Sequence, residues 1–251
     1  KTLLAENYFL QEKYKASEEV YQSTKSIGEV YSWHASKSIA TILLETNNKE
    51  TALSYLKKRF NSLKNKNFEH YYELANFYKD NNYYQESIKY YSLTLDKIKK
   101  NHFLISKILD RRGTSYEKIG KWSDAEKDLQ ESLKILPDQA YVLNYLAYSW
   151  IEKKINIKKS LKMLKQADDL KKNDPYITDS LGWAYFLNKN YDKAEKYLQR
   201  AVMLMPYDPV INDHYADTLW MLNKKIQARY FWNHAINLKN IKKELKDNVS
   251  N

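Results

Sequence analysis

The chain has no cysteine. Disulfides, thiolate-bound zinc and thiol nucleophiles are therefore excluded, while the compartment stays open, since cytosolic and periplasmic proteins alike can lack the residue. Glycine and proline number only four each in 251 residues, too few for the many turns of an all-β fold. No stretch approaches the roughly eighteen apolar residues of a membrane-spanning helix. The G-x-x-x-x-G-K, H-E-x-x-H and G-x-S-x-G signatures are all missing, so phosphate-loop, zinc-hydrolase and serine-hydrolase chemistry have no footing. The five histidines are dispersed, and no metal ligand set or cofactor motif is expected. The chain opens with Lys1 directly in a helical pattern and is read as a fragment of a longer protein.

What is present points to an ordered, all-α chain. Hydrophobic residues make up 43%, with 23 Tyr and 6 Trp, a composition that can bury a core. The net charge is +11. A basic excess can mark nucleic-acid or anionic-membrane binding. Here the lysines are scattered among abundant Asn, Ile and Tyr, which reads as a genome-wide compositional bias.

A repeat runs through the chain. Asp110–Pro137 (DRRGTSYEKIGKWSDAEKDLQESLKILP) and Asp179–Pro206 (DSLGWAYFLNKNYDKAEKYLQRAVMLMP) have equal length and share Asp, Gly, Tyr, Ala-Glu, Leu and Pro positions. Gly113 and Gly182 stand two periods apart, with Ala147 between them. Twelve residues past the small position comes another, as in Ala125, Ala194 and Ala228. Small residues at this spacing let two antiparallel helices approach closely while large neighbours fill the flanks. Asp174-Pro175 and Asp208-Pro209 read as N-caps followed by Pro at the first helical position. Ser123-x-x-Glu126 and Asp192-x-x-Glu195 read as capping boxes, and Pro137 and Pro206 as helix stops. The pattern weakens toward the N-terminus. It divides residues 1–251 into units at about 1–32, 33–67, 68–105, 106–139, 140–174, 175–208 and 209–242, forming a single array. The third unit is long, which predicts a helix extending toward Asn101. The fifth carries an extra residue near Ile155-Asn156-Ile157. Leu238, Ile241 and Leu245 form an apolar stripe, predicting a capping helix at 238–247.

This pattern resembles the tetratricopeptide repeat family over nearly the whole chain. DSLGWAYF, with the stretch from Pro206 to Ala235, is similar to the C-terminal repeats of proteobacterial envelope-associated members, some of them adaptors. The resemblance implies an all-α superhelical solenoid and a non-enzymatic scaffold. It would bind a peptide or helix of a protein partner along a concave groove, with the bacterial envelope or periplasm as the implied location and the cytoplasm as the alternative. In the family register, Tyr141, Asn144, Tyr148, Tyr176, Asp179, Trp183, Phe186, Asp213, Asp217 and Trp220 face that groove. Of these, Tyr141, Asn144, Tyr148, Asp179, Trp183, Asp213, Asp217 and Trp220 are the candidate partner-binding residues, an aromatic and acidic strip suited to a basic or amphipathic segment. Trp183 and Trp220 can equally serve as packing between neighbouring first helices. Lys107, Arg111 and Asn144 partly echo the carboxylate clamp of some relatives. An alternative assigns nucleic-acid or anionic-membrane binding to the lysine face of Lys158, Lys162 and Lys165, with Lys171 and Lys172 beyond it. A solvated surface explains the same lysines.

Overall fold

The computed structural model describes the backbone of residues 2–24, 29–46, 49–100 and 102–249, and the side chains of those stretches apart from 29–31 and 240–249. Among the described residues every regular element is a helix. They are α1 (Thr2–Leu10), α2 (Tyr14–Thr24), α3 (Glu29–Glu45), α4 (Lys49–Asn61), α5 (Phe68–Asp80), α6 (Tyr84–Lys97), α7 (Ile105–Lys118), α8 (Trp122–Ile135), α9 (Ala140–Glu152), α10 (Ile157–Leu170), α11 (Pro175–Leu187), α12 (Tyr191–Leu204), α13 (Pro209–Met221) and α14 (Lys225–Val249). The chain forms two compact units, residues 1–128 and 129–251.

Small residues set the helix contacts. Ala5 and Ser17, Ala40 and Ala52, Ala75 and Ser87, and Ala125 are fully buried in the first unit. Ala147 and Ser160, with Ala194, Ala216 and Ala228, are equally buried in the second. At Gly182 the approach is closest. A Cβ there would lie 2.6 Å from Leu198 Cγ and 3.1 Å from the Leu198 backbone nitrogen. Large side chains fill the flanks, with Tyr91 and Leu56 sealed in the first unit and Trp150, Leu164, Leu181 and Leu198 in the second. In the first unit much of this filling is aromatic. Phe60 meets Tyr71 and Tyr90 edge-on, and Tyr78 stacks on Tyr90 at 5.4 Å.

Two part-buried arginines are held by carboxylates, which offsets the cost of burying charge. Arg112 of α7 grips Asp128 with two bonds of 2.7 and 2.8 Å and reaches Ser92 of α6 at 3.0 Å. In the second unit Arg200 of α12 pairs with Asp168 of α10. It also donates to Thr178 of α11 (2.9 Å), which in turn donates to Asp168 (3.1 Å).

The fully described turns inside the helix pairs repeat one device. Glu12, Asn82, Gly120, Lys154, Lys189 and Asn223 all take left-handed backbone, with φ between 58° and 78°. The amide after each one donates to a carbonyl five residues back: Lys13 to Tyr8, Tyr83 to Tyr78, Lys121 to Tyr116, Ile155 to Trp150, Asn190 to Tyr185 and Lys224 to Leu219, each at 2.9 Å. This is the Schellman closure, which satisfies the last carbonyls of a helix. The extra residue of α9–α10 is absorbed by a second left-handed residue, Asn156 (φ 49°).

The caps partly match the sequence reading. Asp174 accepts from the amides of Tyr176 and Ile177, and Asp208 from those of Val210 and Ile211, each with Pro at the helix start. The Asp192 box does not form. Asn190 is the N-cap of α12 and accepts from Lys193 N, so Asp192 lies within the first turn, where its charge still suits the helix dipole. Likewise α8 starts at Trp122, which puts Ser123 inside the helix. The length of the third unit is in its connection: α6 stops at Lys97 with Ile98 extended, and Asn101 lies outside the described residues. The stretch 238–247 continues α14 without a break, and the side chains of Ile241 and Leu245 lie outside those described.

Gly120→Ala should destabilise the first unit by about 1–2 kcal/mol, because its backbone is left-handed although the space around it is open. Lys189→Gly should stabilise the second by about 0.5–1 kcal/mol, strain relief outweighing the added freedom of the unfolded chain. Gly182→Ala should cost about 1–3 kcal/mol, since the clash is with the root of Leu198 and cannot swing away. Denaturant unfolding of the three variants checks the signs.

Candidate partner-binding site

In the second unit the first helices of successive pairs touch: α9 packs on α11, and α11 on α13. Their charges are one-sided. Glu152, Asp179, Asp213 and Asp217 are their carboxylates, His214 is their single titratable nitrogen base, and none of the three contains Lys or Arg. The partner helices carry the cations: Lys158, Lys159, Lys162 and Lys165 on α10, and Lys193, Lys196 and Arg200 on α12.

The candidate residues fall into separate groups. Trp183 links three helices. Its indole N–H donates to Glu152 of α9 (2.8 Å), and its ring stacks on Phe186 (4.6 Å) and on His214 of α13 (4.0 Å). His214 Nδ1 stands 3.0 Å from both oxygens of Asp179, which is only 7% exposed. Asn144, Tyr148 and Asp179 meet at a cavity of about 260 Å³ that Tyr176, Asp208 and Ile211 also line. Tyr141 lies apart from that lining. It is 57% exposed, donates to Asp174 (3.0 Å) and carries the Lys171 ammonium over its ring at 4.6 Å. Asp217 accepts from Trp232 of α14 (3.0 Å), and Trp220 packs on Trp232 with Lys225 Nζ 3.6 Å from its ring centre. Asp213 pairs with Lys239 at 3.2 Å.

Three groups here titrate abnormally. Burial opposes charge on His214, but the hydrogen bond and field of Asp179, joined by Asp213 and Asp217, outweigh it and raise its pKa. Burial, with the fields of Glu152 and Asp179, pushes the Tyr148 phenol up to about 12. The Asp217 carboxyl is raised chiefly by burial, with Asp213 adding to it and the Trp232 hydrogen bond and His214 opposing.

The other sequence candidates are placed as follows. Lys158, Lys162, Lys171 and Lys172 are exposed, and Lys165 leans over Tyr185 at 5.8 Å. Arg111 donates to Asn76 (3.1 Å) and lies 3.8 Å from Asp80, so its guanidinium is already engaged. Among the described residues no group of His, Asp and Glu could hold a metal ion, and no helix is long and apolar enough to cross a membrane.

A family model for the tetratricopeptide repeat matches residues 178–208. A tetratricopeptide-repeat-containing protein of Pseudomonas aeruginosa is 30% identical over 99 residues, which are 39% of this chain and 17% of that protein. Residues 178–208 match one tetratricopeptide repeat. Solved structures share the repeat fold at low identity. The C-terminal part of a tetratricopeptide-repeat protein from Cytophaga hutchinsonii has a TM-score of 0.61 at 19% identity, covering 80% of this chain and 78% of that one. MamA from Desulfovibrio magneticus gives 0.60 at 17%, covering 69% and 95%. PilF of Pseudomonas aeruginosa gives 0.58 at 16%, covering 68% and 75%.

The repeat also explains what sequence reading missed. Glu152 and His214 were not among the candidates, yet each lies 31 residues from Trp183, a repeat less one helical turn. That offset, applied to each groove aromatic, would have found both.

His214 predicts a pH dependence of stability. A folded pKa above the unfolded value, near 6.5, gives stability that is complete below that value and lost as pH rises through the folded pKa. Unfolding free energy should therefore decline above about pH 6.5 in the parent. In His214→Gln that component should be missing, and parallel pH curves for the two proteins would count against the charged pair.

Proposed function

We propose that this chain is a non-enzymatic interaction scaffold whose α9, α11 and α13 wall receives a basic segment of a protein partner. One observation carries the reading. In a chain of net charge +11, these three helices hold four carboxylates and no Lys or Arg. Helix packing does not require this segregation, since α10 and α12 tolerate both signs. A surface of one sign steers and orients a partner of the other. Aromatic rings at its centre, Tyr148, Tyr176 and Trp183, supply the contact area that anchors a peptide. Repeats of this family serve as protein-binding scaffolds, and the groove assignment adds which wall is used and which charge it selects.

The test is capture of partners from cell extract on three immobilised baits. Proteins held by the parent should be held equally by Lys158→Gln/Lys162→Gln/Lys165→Gln. They should be released at lower salt from Asp213→Asn/Asp217→Asn, because screening acts on exposed charge. The opposite pattern, with the lysine variant losing its partners and the wall variant keeping them, would support an anionic nucleic-acid or lipid ligand on the lysine face.

A further inference from the structure

We infer that the cavity between α9, α11 and α13 is a subsite for one arginine side chain of that basic segment, an assignment that rests on the wall being the partner-binding surface. Its size sets the scale. At about 260 Å³ it falls below the roughly 300–1,000 Å³ of pockets that enclose a whole small-molecule ligand, and suits a single long side chain.

Its chemistry sets the sign. The lining contains the carboxylates of Asp179 and Asp208 and no cation. Asp208 Oδ1 already caps α13 and Asp179 holds His214, yet a carboxylate has about four acceptor sites and keeps its charge while using some of them. The Asn144 amide oxygen is shut off from solvent and no hydrogen-bond donor of the protein reaches it. A buried acceptor left without a donor is costly; Asn144 as a whole is half-buried, and rotation of its side chain into the cavity would bring that oxygen to a ligand N–H.

Its shape distinguishes arginine from lysine. The acceptors come from α9, α11 and the N-cap of α13, and the phenol rings of Tyr148 and Tyr176 line the same cavity. A guanidinium is flat, stacks on aromatic faces and carries five N–H donors that diverge toward several acceptors. An ammonium is a compact, strongly hydrated point charge. Val210, half exposed at the cavity wall, offers apolar contact for the aliphatic stem.

The probes are N-acetylarginine N-methylamide and its lysine and citrulline counterparts, followed by proton–nitrogen correlation NMR, and fluorescein-labelled nona-arginine, followed by anisotropy. The arginine probe should give saturable shifts at Asn144 and along α9 and α11. The lysine probe should bind more weakly, and citrulline, isosteric but uncharged, should give none. Asn144→Leu should weaken the arginine probe roughly tenfold, the loss of a hydrogen bond to a charged group. Tyr176→Leu should do the same, and since Tyr176 is 54% exposed its replacement leaves the core intact and keeps the test valid if Asn144→Leu folds poorly. The subsite is overturned if both variants bind the arginine probe and nona-arginine like the parent while Asp213→Asn/Asp217→Asn weakens nona-arginine; the wall reading then stands. Nona-arginine binding that is indifferent to every one of these substitutions overturns both.

Discussion

The structure depends on the distance between paired helices, and small side chains set that distance. Across the described repeats, alanine or serine at the crossing points has no exposed surface, and at Gly182 even a methyl group would collide with Leu198. Once the backbones are this close, the large residues on either side have one place to go, between the pair and its neighbour. A single pair cannot cover its own apolar face, so stacking follows from the same contact. Loss of close packing at one crossing would be felt by the next repeat, because interiors of this density transmit a change in volume.

That geometry also decides what is left over for function. In the second unit the first helices contact one another through α9, α11 and α13. One face of each is used by its hairpin partner and another by the adjacent first helix, and the remainder is free to carry chemistry. It carries acid and aromatic groups. Trp183 is committed in both senses, with its N–H on Glu152 and its ring on Phe186 and His214. This ties the three helices together at His214, which Asp179 also holds. A pre-ordered wall loses less conformational freedom when a partner docks.

How much of this could be read from the sequence depends on the range of the interaction. Small-residue spacing, Asp-Pro caps and the extra residue near Asn156 are local or strictly periodic, and each has a direct structural counterpart. The failures were local competitions with more than one candidate. At α12 both Asn190 and Asp192 can cap, and the residue beside the Schellman turn takes the position. Lys154 and Lys189 carry no sign of left-handed backbone, since the turn imposes it on whatever residue stands there. The candidate residues lie on α9, α11 and α13, the first helices of their pairs. Their partners were not legible, because Trp183–Glu152 and Asp217–Trp232 depend on side-chain rotamers across separate helices. Asn144 shows the same limit: its position was readable, and the lack of a donor for its buried oxygen was not.

Hydrogen exchange of the protein, free and saturated with a captured basic partner segment, tests the central claim most directly. Slower exchange on α9, α11 and α13, with α10 and α12 unchanged on their exposed faces, is the result this account predicts. Protection confined to α10 around Lys158, Lys162 and Lys165, with the acidic wall exchanging as in the free protein, would contradict it.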